Sequence, residues 1–197
     1  REDQDFSENL KLLSTSGTEP VSEKYEMLHG KKRSHEYTAN RKTWELENDH
    51  GERMEITFQL SNDGVAFRYH FPESSTDLKN ITREVTAFTF SDSTTAWIQP
   101  RAKAKSGWNA CNPSYEEDYL QDKAVTEITP TETGWIFPAL FKEGDTWMLV
   151  SETAPDRDYC GSRLLKGAQT DEFVIGFPEA SENFPDGPVY PESKTPW

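Results

Sequence analysis

Apolar and polar residues alternate regularly in the stretch MEITFQLSNDGVAFRYHF, residues 54–71. Every second residue is apolar in residues 54–60, and the same is true of residues 65–71. A period of two is typical of a β-strand with one buried face and one solvent-exposed face. The stretch therefore predicts two adjacent antiparallel strands, which form a β-hairpin.

The turn of this hairpin is predicted from the pair Asp63-Gly64, which favours a two-residue type I′ turn. With that turn, Leu60 lies opposite Phe67, Phe58 lies opposite Tyr69, and the two apolar faces coincide. A loop with an odd number of residues would move the apolar set of one strand to the wrong face. The pattern therefore predicts a loop with an even number of residues.

Short runs of β-type sequence recur after a polar, acidic N-terminal stretch. Clusters such as ENDHGE, PESSTD and KEGD separate them and contain the residues that favour turns. The runs are EYTANRKTWELEN, ITREVTAFTF, TAWIQ, GWIFPALF, DTWMLVSE and EFVIGF. No segment keeps an apolar repeat of about 3.6 residues over the length of a helix. The chain is therefore predicted to be an all-β sandwich or barrel.

Residues 134–152 predict a second hairpin, with KEGD as its turn. Pro138 lies inside the first strand and has no backbone N–H, so we expect an edge or a bulge there. Trp135 and Trp147 are predicted to belong to the core. His70, on the polar face of the first hairpin, is predicted to lie at the surface or at an interface.

Composition excludes several classes of function. The formal net charge of −14 over 197 residues argues against a nucleic-acid-binding surface, which would need clustered lysine and arginine. No apolar run approaches the ~20 residues that cross a bilayer, so we expect no membrane span. The chain has neither an initiating Met nor a recognisable signal segment. We therefore expect either a signal that was removed or a start inside a longer protein.

A long connection, about residues 101–123, combines aromatic and acidic side chains. Loops of this length in compact domains are usually functional or disordered, and this composition favours a functional loop. Its aromatic candidates for stacking against a sugar ring are Trp108, Tyr115 and Tyr119, with packing beneath the loop as an equally weighted alternative. Cys111 and Cys160 fit either a disulfide or two buried thiols.

Several motifs together resemble the N-terminal domain of glycoside hydrolase family 97. They are NDGVAFRYHF, EVTAFTF, AWIQP, SYEEDY and GWIFPALFKEGDTWMLVSETAPDRDYCGSRL, in that order, and the resemblance extends from about residue 42 to residue 197. It implies a large two-sheet β-sandwich of the galactose-mutarotase-like type. Residues 1–197 would be part of that domain, and the catalytic (β/α)8 barrel that carries the acid and the base or nucleophile would follow in the parent protein.

The resemblance also implies a metal and a substrate. Members of the family act on α-linked glucose or galactose and bind calcium in the active site, with one carboxylate ligand from this domain. The motif YEEDY assigns that ligand to Glu116, with Glu117 as the alternative. Where the family often has a histidine, this chain has Ser151, and Glu152 beside it remains a candidate site-facing acid. The implied location is periplasmic or secreted.

A second hypothesis is a non-catalytic carbohydrate-binding or adhesion module. A sandwich fold serves both roles, because function depends on sites rather than on folds. The part of the parent protein after residue 197 distinguishes them, since a barrel with acidic residues at its strand ends supports the enzyme. The preferred sugar, the stereochemical outcome and the oligomeric state stay open at this stage.

Overall fold

The computed structural model describes residues 4–101, 118–153, 161–178 and 192–194. The chain divides into two compact units. Unit 1 comprises Arg1–Lys79 and Lys194–Trp197, and unit 2 comprises Asn80–Ser193. Both are built from antiparallel strands, and the described residues contain only one short 3₁₀ turn, Val125–Glu127. The predicted all-β class is confirmed.

Unit 1 contains a five-stranded sheet in the order β1-β3-β4-β5, with β2 also paired to β3. The long strand β3 pairs with β4 along one edge. Along its other edge it pairs first with β2 and then, further along the strand, with β1. The strands are β1 (Lys11–Thr15), β2 (Glu19–Glu26), β3 (Ser34–Glu47), β4 (Arg53–Leu60) and β5 (Val65–His70). Strands β1 and β2 lie in the polar, acidic N-terminal stretch, for which the sequence pattern predicts no strand. Their side chains are mostly exposed, so no alternating apolar pattern marks them.

The sheet of unit 1 has one apolar and one polar face, as the alternation predicts. On the apolar face the rings of Trp44 and Phe58 meet edge to face at a centroid distance of 5.3 Å, and Phe58 and Phe67 lie 5.8 Å apart. On the polar face the imidazole Nδ1 of His70 lies 2.8 Å from a carboxylate oxygen of Glu55. His70 is therefore a partly exposed residue of the polar face.

The register of the first hairpin differs from the prediction by two residues. Phe58 pairs with Phe67 rather than with Tyr69, because the turn is centred one residue earlier in the chain. The N–H of Ser61 donates to the carbonyl oxygen of Gly64 at 2.9 Å, and neither Asp63 nor Gly64 has a positive φ. The type I′ turn at Asp63-Gly64 was therefore wrong. The predicted even number of loop residues was correct, and it keeps the apolar residues of both strands on one face.

Unit 2 contains a seven-stranded sheet in the order β7-β13-β12-β10-β8-β9, with β11 also paired to β10. Its strands are β7 (Ala87–Thr89), β8 (Thr95–Pro100), β9 (Leu120–Ala124), β10 (Trp135–Glu143), β11 (Thr146–Val150), β12 (Arg163–Lys166) and β13 (Glu172–Gly176). Two further short strands, β6 (Leu78–Asn80) and β14 (Glu192–Lys194), pair with each other. Strand β6 includes the residues at which the chain passes from unit 1 to unit 2.

The core of unit 2 is aromatic and aliphatic. Phe90 stacks on Phe141 with a centroid distance of 4.0 Å, and Phe173 meets the rings of Phe141 and Trp135 edge to face at 5.5 and 5.7 Å. The fully buried apolar residues around them include Ala96, Ile98, Val125, Ala139 and Leu164. Each such aromatic side chain contributes about 1.5–3 kcal/mol when it leaves water. The prediction that Trp135 belongs to the core is confirmed.

The second hairpin forms as predicted, with Glu143 opposite Thr146. Along one edge of β10 the partner changes from β12 to β11, and along the other edge the register against β8 shifts between Ile136 and Leu140. Pro138, which donates no backbone hydrogen bond, lies at this change of partner. The expected irregularity at Pro138 is confirmed as a bulge inside the sheet.

Trp147 does not belong to the core, contrary to our prediction. Its side chain is 52% exposed. Neighbouring residues of a strand point to opposite faces, and the adjacent Met148 packs against the core cluster. Trp147 therefore lies on the outer face, where its ring meets that of Trp97 at 4.9 Å. Apolar character alone does not distinguish the two faces of this strand.

Candidate functional site

The base of the predicted functional loop is held by hydrogen bonds at the end of β8. The N–H of Arg101 donates to the carbonyl oxygen of Gly134 at 2.9 Å, and the hydroxyl of Thr133 donates to the carbonyl oxygen of Arg101. The preceding residue, Pro100, pairs with Trp135 at the start of β10. The backbone of Arg101 is thus fixed through both its polar groups where the chain leaves the sheet.

Gly134 is required at this base by both conformation and space. Its φ is +73°, a left-handed conformation that residues with a side chain rarely adopt. A Cβ atom at this position would lie 2.4 Å from the carbonyl oxygen of Leu164 and 2.7 Å from Cδ2 of Leu165. The residue therefore lets the turn before β10 approach the backbone of β12.

The chain returns to the sheet at β9, which includes residues that we had assigned to the loop. Leu120 pairs with Ile98, and the register then shifts by one residue before Lys123 pairs with Ala96. Asp122 has a φ of 52° within this irregular region. Aspartate is among the residues that tolerate the left-handed conformation best, and β-bulges of this kind often lie beside active sites.

Most of the predicted site residues lie outside the described residues. These are Trp108, Tyr115, Glu116, the alternative Glu117, and both cysteines, Cys111 and Cys160. Tyr119 is described, and its side chain is 47% exposed just before β9. It is therefore accessible at the base of the loop, but its contact with a sugar stays a prediction.

Two buried donors flank the base of this loop. Nε2 of Gln99 and the indole N–H of Trp135 are buried and have no hydrogen-bond partner within the described parts of the chain. Gln99 lies opposite Ile136, one residue from the pair formed by Pro100 and Trp135. Buried donors usually have a partner, so this end of β8 and β10 is where an additional acceptor is expected. The sequence pattern did not single out Gln99.

Glu152, the other candidate acid, is engaged with Ser162. Its carboxylate accepts from the N–H of Ser162 at 3.0 and 3.2 Å and from the hydroxyl of Ser162 at 2.7 Å. These bonds join the two ends of the segment between β11 and β12. The carboxylate therefore has a clear structural role in holding this segment closed. Its neighbour Ser151 donates to the carbonyl oxygen of Glu152 at 3.3 Å.

An exposed aromatic surface lies on the outer face of the unit 2 sheet. Trp97 and Trp147 contact each other there, and Nζ of Lys142 lies 5.0 Å from the centre of the Trp147 ring. Leu140 pairs with both Trp97 and Leu149, and Leu149 is 65% exposed. We call these five residues the outer aromatic face. Exposed tryptophans on a sheet can stack against sugar rings as well as against protein.

Shifted ionisation occurs away from the loop as well. In unit 1 the hydrogen bond that the carboxyl groups of Glu52 and Glu73 share lowers the pKa of Glu52 and raises the pKa of Glu73. In unit 2 burial lowers the pKa of Lys166, whose Nζ donates to the carbonyl oxygen of Val125 at 3.0 Å, while the carboxylate of Asp171 opposes this shift. Both places are compatible with structural roles.

The described residues contain no group of three or more His, Cys, Asp or Glu side chains that could hold a metal ion. Within the same residues, no helix is long and apolar enough to cross a membrane.

A family model described as the N-terminal domain of glycosyl hydrolase 97 matches residues 1–197. The chain belongs to this family. The resemblance of the sequence motifs is thereby confirmed over the whole chain. The two-sheet β-sandwich expected for the family's N-terminal domain is confirmed as well.

Relatives of this family 97 domain are named as glycosidases. A "Probable retaining alpha-galactosidase" of Streptomyces bingchenggensis (strain BCW-1) is 30% identical over 174 residues, which are 87% of this chain and 24% of that protein. A crystal structure of a beta-arabinopyranosidase superposes with a TM-score of 0.89 at 36% identity, covering 98% of this chain and 31% of the other. The chain thus spans about a quarter to a third of these relatives.

A more distant structure shares the fold. It is a glycoside hydrolase family 97 enzyme of Pseudoalteromonas sp. strain K8 in complex with acarbose, with a TM-score of 0.70 at 17% identity. The alignment covers 96% of this chain and 26% of that enzyme. At this identity the likeness supports the fold alone.

Proposed function

We propose that this chain is the N-terminal sandwich domain of a glycosidase that removes terminal α-linked galactose or glucose from oligosaccharides. The observation that carries the proposal is the 36% identity and TM-score of 0.89 to a beta-arabinopyranosidase over 98% of the chain. The catalytic residues would belong to a (β/α)8 barrel elsewhere in the parent protein. This domain would contribute part of the wall of the substrate pocket.

Sugar chemistry favours galactose over glucose. β-L-Arabinopyranose has the ring configuration of α-D-galactopyranose and lacks only the hydroxymethyl group. With arabinopyranose taken in the L series, the names of the two relatives with at least 30% identity agree on one ring configuration. Glucose differs from it in the orientation of one ring hydroxyl. A site that hydrogen-bonds a sugar hydroxyl discriminates strongly against a sugar that leaves its polar groups unpaired.

Within this proposal, the loop between β8 and β9 supplies the contacts of the domain with the site. Trp108, Tyr115 and Tyr119 would form an aromatic contact for a sugar ring, and Glu116 would be a calcium ligand. The fixed backbone of Arg101 and the bulge at Asp122 support a defined exit and return for that loop. Calcium takes 6–8 oxygen ligands, so the other ligands would come from the rest of the parent enzyme.

The test uses the full-length parent enzyme. Hydrolysis of nitrophenyl α-galactoside, α-glucoside and β-L-arabinopyranoside is measured with and without a chelator, and for Glu116→Gln beside Glu117→Gln. We expect galactoside or arabinopyranoside to be the best substrate, and we expect both chelation and Glu116→Gln to lower activity. Activity that is insensitive to chelation and to Glu116→Gln would remove the calcium role. No turnover of any of the three glycosides would remove the proposed activity.

We also propose that the parent protein is periplasmic or secreted, since its proposed oligosaccharide substrates lie outside the cytoplasm. Fractionation of the source cells followed by immunodetection tests this. Recovery of the protein only in the cytoplasmic fraction would contradict it.

The second candidate function is carbohydrate binding without catalysis. The observation that favours it is the contact between the half-buried Trp97 and the exposed Trp147 on the outer aromatic face. Binding of galacto-oligosaccharides to an inactive parent enzyme is measured by calorimetry for Trp147→Ala and for Tyr119→Ala. Loss of binding only in Trp147→Ala supports the binding function, while loss only in Tyr119→Ala supports a contact at the catalytic site.

A further inference from the structure

The hairpin of β2 and β3 ends in an exposed tip, which comprises residues 27–33. Every residue of this tip is exposed, and Leu28 is 91% exposed. Gly30 has a φ of 106°, and a Cβ atom there would meet nothing within 4 Å. The chain at the tip therefore has open space around it, which a segment needs in order to enter the cleft of another protein.

The tip also contains the one run of three consecutive basic residues in the chain, Lys31, Lys32 and Arg33. Most of the other described lysines and arginines lie in strands, where the backbone is held in hydrogen-bonded ladders. Within the described ranges, Arg83 is the one further lysine or arginine that is both exposed and outside a strand. Accessible backbone and basic side chains therefore coincide at very few places, and the tip is the main one.

The three basic residues of the tip are restrained to different degrees. The guanidinium of Arg33 pairs with Glu26 at 3.1 Å, and its carbonyl oxygen accepts the backbone hydrogen bond that closes the tip at 2.8 Å. The carbonyl oxygen of Lys32 lies 3.0 Å from Nε2 of His35. Lys31 forms no hydrogen bond or ion pair within the part of the chain that the structure describes. The peptide bond between Lys31 and Lys32 is therefore the least restrained of those that follow a basic residue in the tip.

We propose that the tip is a cleavage site for an endopeptidase of trypsin-like specificity, and that the bond between Lys31 and Lys32 is cut first. The primary specificity pocket of such an enzyme contains a carboxylate, which binds the basic side chain before the cleaved bond. Lys31 supplies that side chain without breaking an existing contact. Water adds across the peptide bond, so that Lys31 ends in a carboxylate and Lys32 begins with an ammonium group. Exposed loop tips are preferred sites of such cleavage.

The N-terminal fragment, residues 1–31, stays bound after this cut. Strand β2 pairs with β3 over eight residues, and β1 pairs with the other end of β3. The ring of Phe6 lies 5.0 Å from that of Phe71, and the side-chain amide of Asn48 donates to the carbonyl oxygen of Asp5 at 3.1 Å. None of these contacts involves a residue of the tip. The cleaved protein is therefore expected to consist of two chains in one fold.

The experiment treats the full-length parent protein with a low concentration of trypsin in native buffer, and mass spectrometry identifies the cut bonds over time. It compares the parent with the triple variant Lys31→Gln, Lys32→Gln, Arg33→Gln. The matched control is Arg83→Gln, which removes the other exposed basic residue outside a strand. We expect the first cut at the tip. Since cleavage within a strand requires local opening, the half-life of the intact chain should rise about tenfold or more in the triple variant and stay unchanged in the control.

Two further measurements test the exposure of the tip and the fate of the fragment. Chymotrypsin, which cuts after large apolar residues such as Leu28, should cut the tip of the parent and of the triple variant at equal rates. This result would show that the variant keeps the hairpin and its exposure. Size-exclusion chromatography of the trypsin-cut protein should give one peak that contains both fragments, which separate in denaturant.

Several outcomes overturn the proposal. One is a parent protein that is half cut at other bonds while the tip stays intact, and another is a triple variant that is cut as fast as the parent. Resistance of the parent's tip to chymotrypsin overturns it as well, because the tip is then covered in the full-length protein. Release of residues 1–31 in native buffer contradicts the two-chain product. Hydrolysis of the nitrophenyl glycosides is measured separately, so failure of this proposal leaves the proposed function untouched.

Discussion

The backbone N–H of Arg101 donates to the carbonyl oxygen of Gly134 at 2.9 Å, which links the first residue of the predicted functional loop to the turn before β10. Gly134 in turn lies against the backbone of Leu164 in β12. Three neighbouring strands therefore meet at the base of the loop. The base of the loop is therefore built around a residue without a side chain, Gly134.

We predict that Gly134→Ala destabilises unit 2 by about 3 kcal/mol. The left-handed φ costs about 1–2 kcal/mol for a residue with a Cβ, and the overlap with Leu164 costs about 1–3 kcal/mol. Hydrogen exchange of peptides from the full-length protein checks this, with faster exchange expected in β10 and β12.

The control for this substitution is Gly144→Ala. Gly144 also has a positive φ, of 56°, but a Cβ there would meet nothing within 4 Å. Gly144→Ala should therefore lower the free energy of unfolding only by the cost of the left-handed φ, about 1 kcal/mol. Equal effects of the two substitutions would show that the close approach to Leu164 contributes nothing.

The two tryptophans of the second hairpin should respond very differently to truncation. Trp135→Ala removes a buried ring that contacts Phe173 at 5.7 Å, and we expect a loss of about 3–5 kcal/mol. Trp147→Ala removes a half-exposed ring, and we expect a change within about 1 kcal/mol. Thermal unfolding of the parent protein and its two variants measures the difference. A large loss for Trp147→Ala would mean that the outer aromatic face is covered in the parent enzyme.

Trp135 and Trp147 also show how far the sequence determines the fold. Alternation identified both strands of the second hairpin, because burial on one face imposes a period of two. It assigned Trp147 to the wrong face, since both faces of this sheet carry large apolar residues. In the first hairpin the same alternation determined that the loop has an even number of residues, but it did not determine which residues pair. The Phe58–Phe67 pairing depends on the turn, where the hydrogen bond from Ser61 to Gly64 prevailed over the preference of Asp-Gly.

The site was harder to predict than the fold. Strand patterns located the start of the loop between β8 and β9 but placed its end inside β9 (Leu120–Ala124), and the family motifs named its residues. Some features of the site depend on contacts between distant parts of the chain, such as the approach of Gly134 to Leu164 and the burial of Gln99. Such contacts leave no signal in the local sequence. Glu152 illustrates the same limit, because a carboxylate next to a family motif looks the same in sequence whether it faces a site or accepts from Ser162.

We predict that the contact between Glu152 and Ser162 holds the segment between β11 and β12 closed. Ser162→Ala removes one of its hydrogen bonds to the carboxylate, and a bond to a charged group contributes about 1.5–3 kcal/mol. Partial exposure places the expected loss at the lower end. Hydrogen exchange in peptides covering residues 150–166 should become faster. Ser151→Ala, which removes only a bond to an adjacent carbonyl group, is the control. Unchanged exchange in Ser162→Ala would assign the closure to other contacts.

The shared hydrogen bond of Glu52 and Glu73 predicts a pH dependence of stability. The pKa of Glu73 is raised in the folded protein, so the folded state holds a proton that the unfolded state has lost. This contribution is fully present below the ordinary pKa of glutamic acid and is lost as pH rises through the raised value. The lowered pKa of Glu52 acts in the opposite sense, because its contribution is lost as pH falls through the lowered value.

Glu73→Gln should therefore flatten this dependence. The amide donates permanently to the carboxylate of Glu52, so the loss of stability above the ordinary glutamic acid pKa should disappear. The effect should be small because both carboxyl groups are largely solvated, and solvent screens their interaction. Melting temperatures of the parent and the variant are compared across the acidic range, with Glu23→Gln, an exposed glutamate of the same unit, as the control. Parallel curves for Glu73→Gln and the parent would show that the two carboxyl groups do not share a proton.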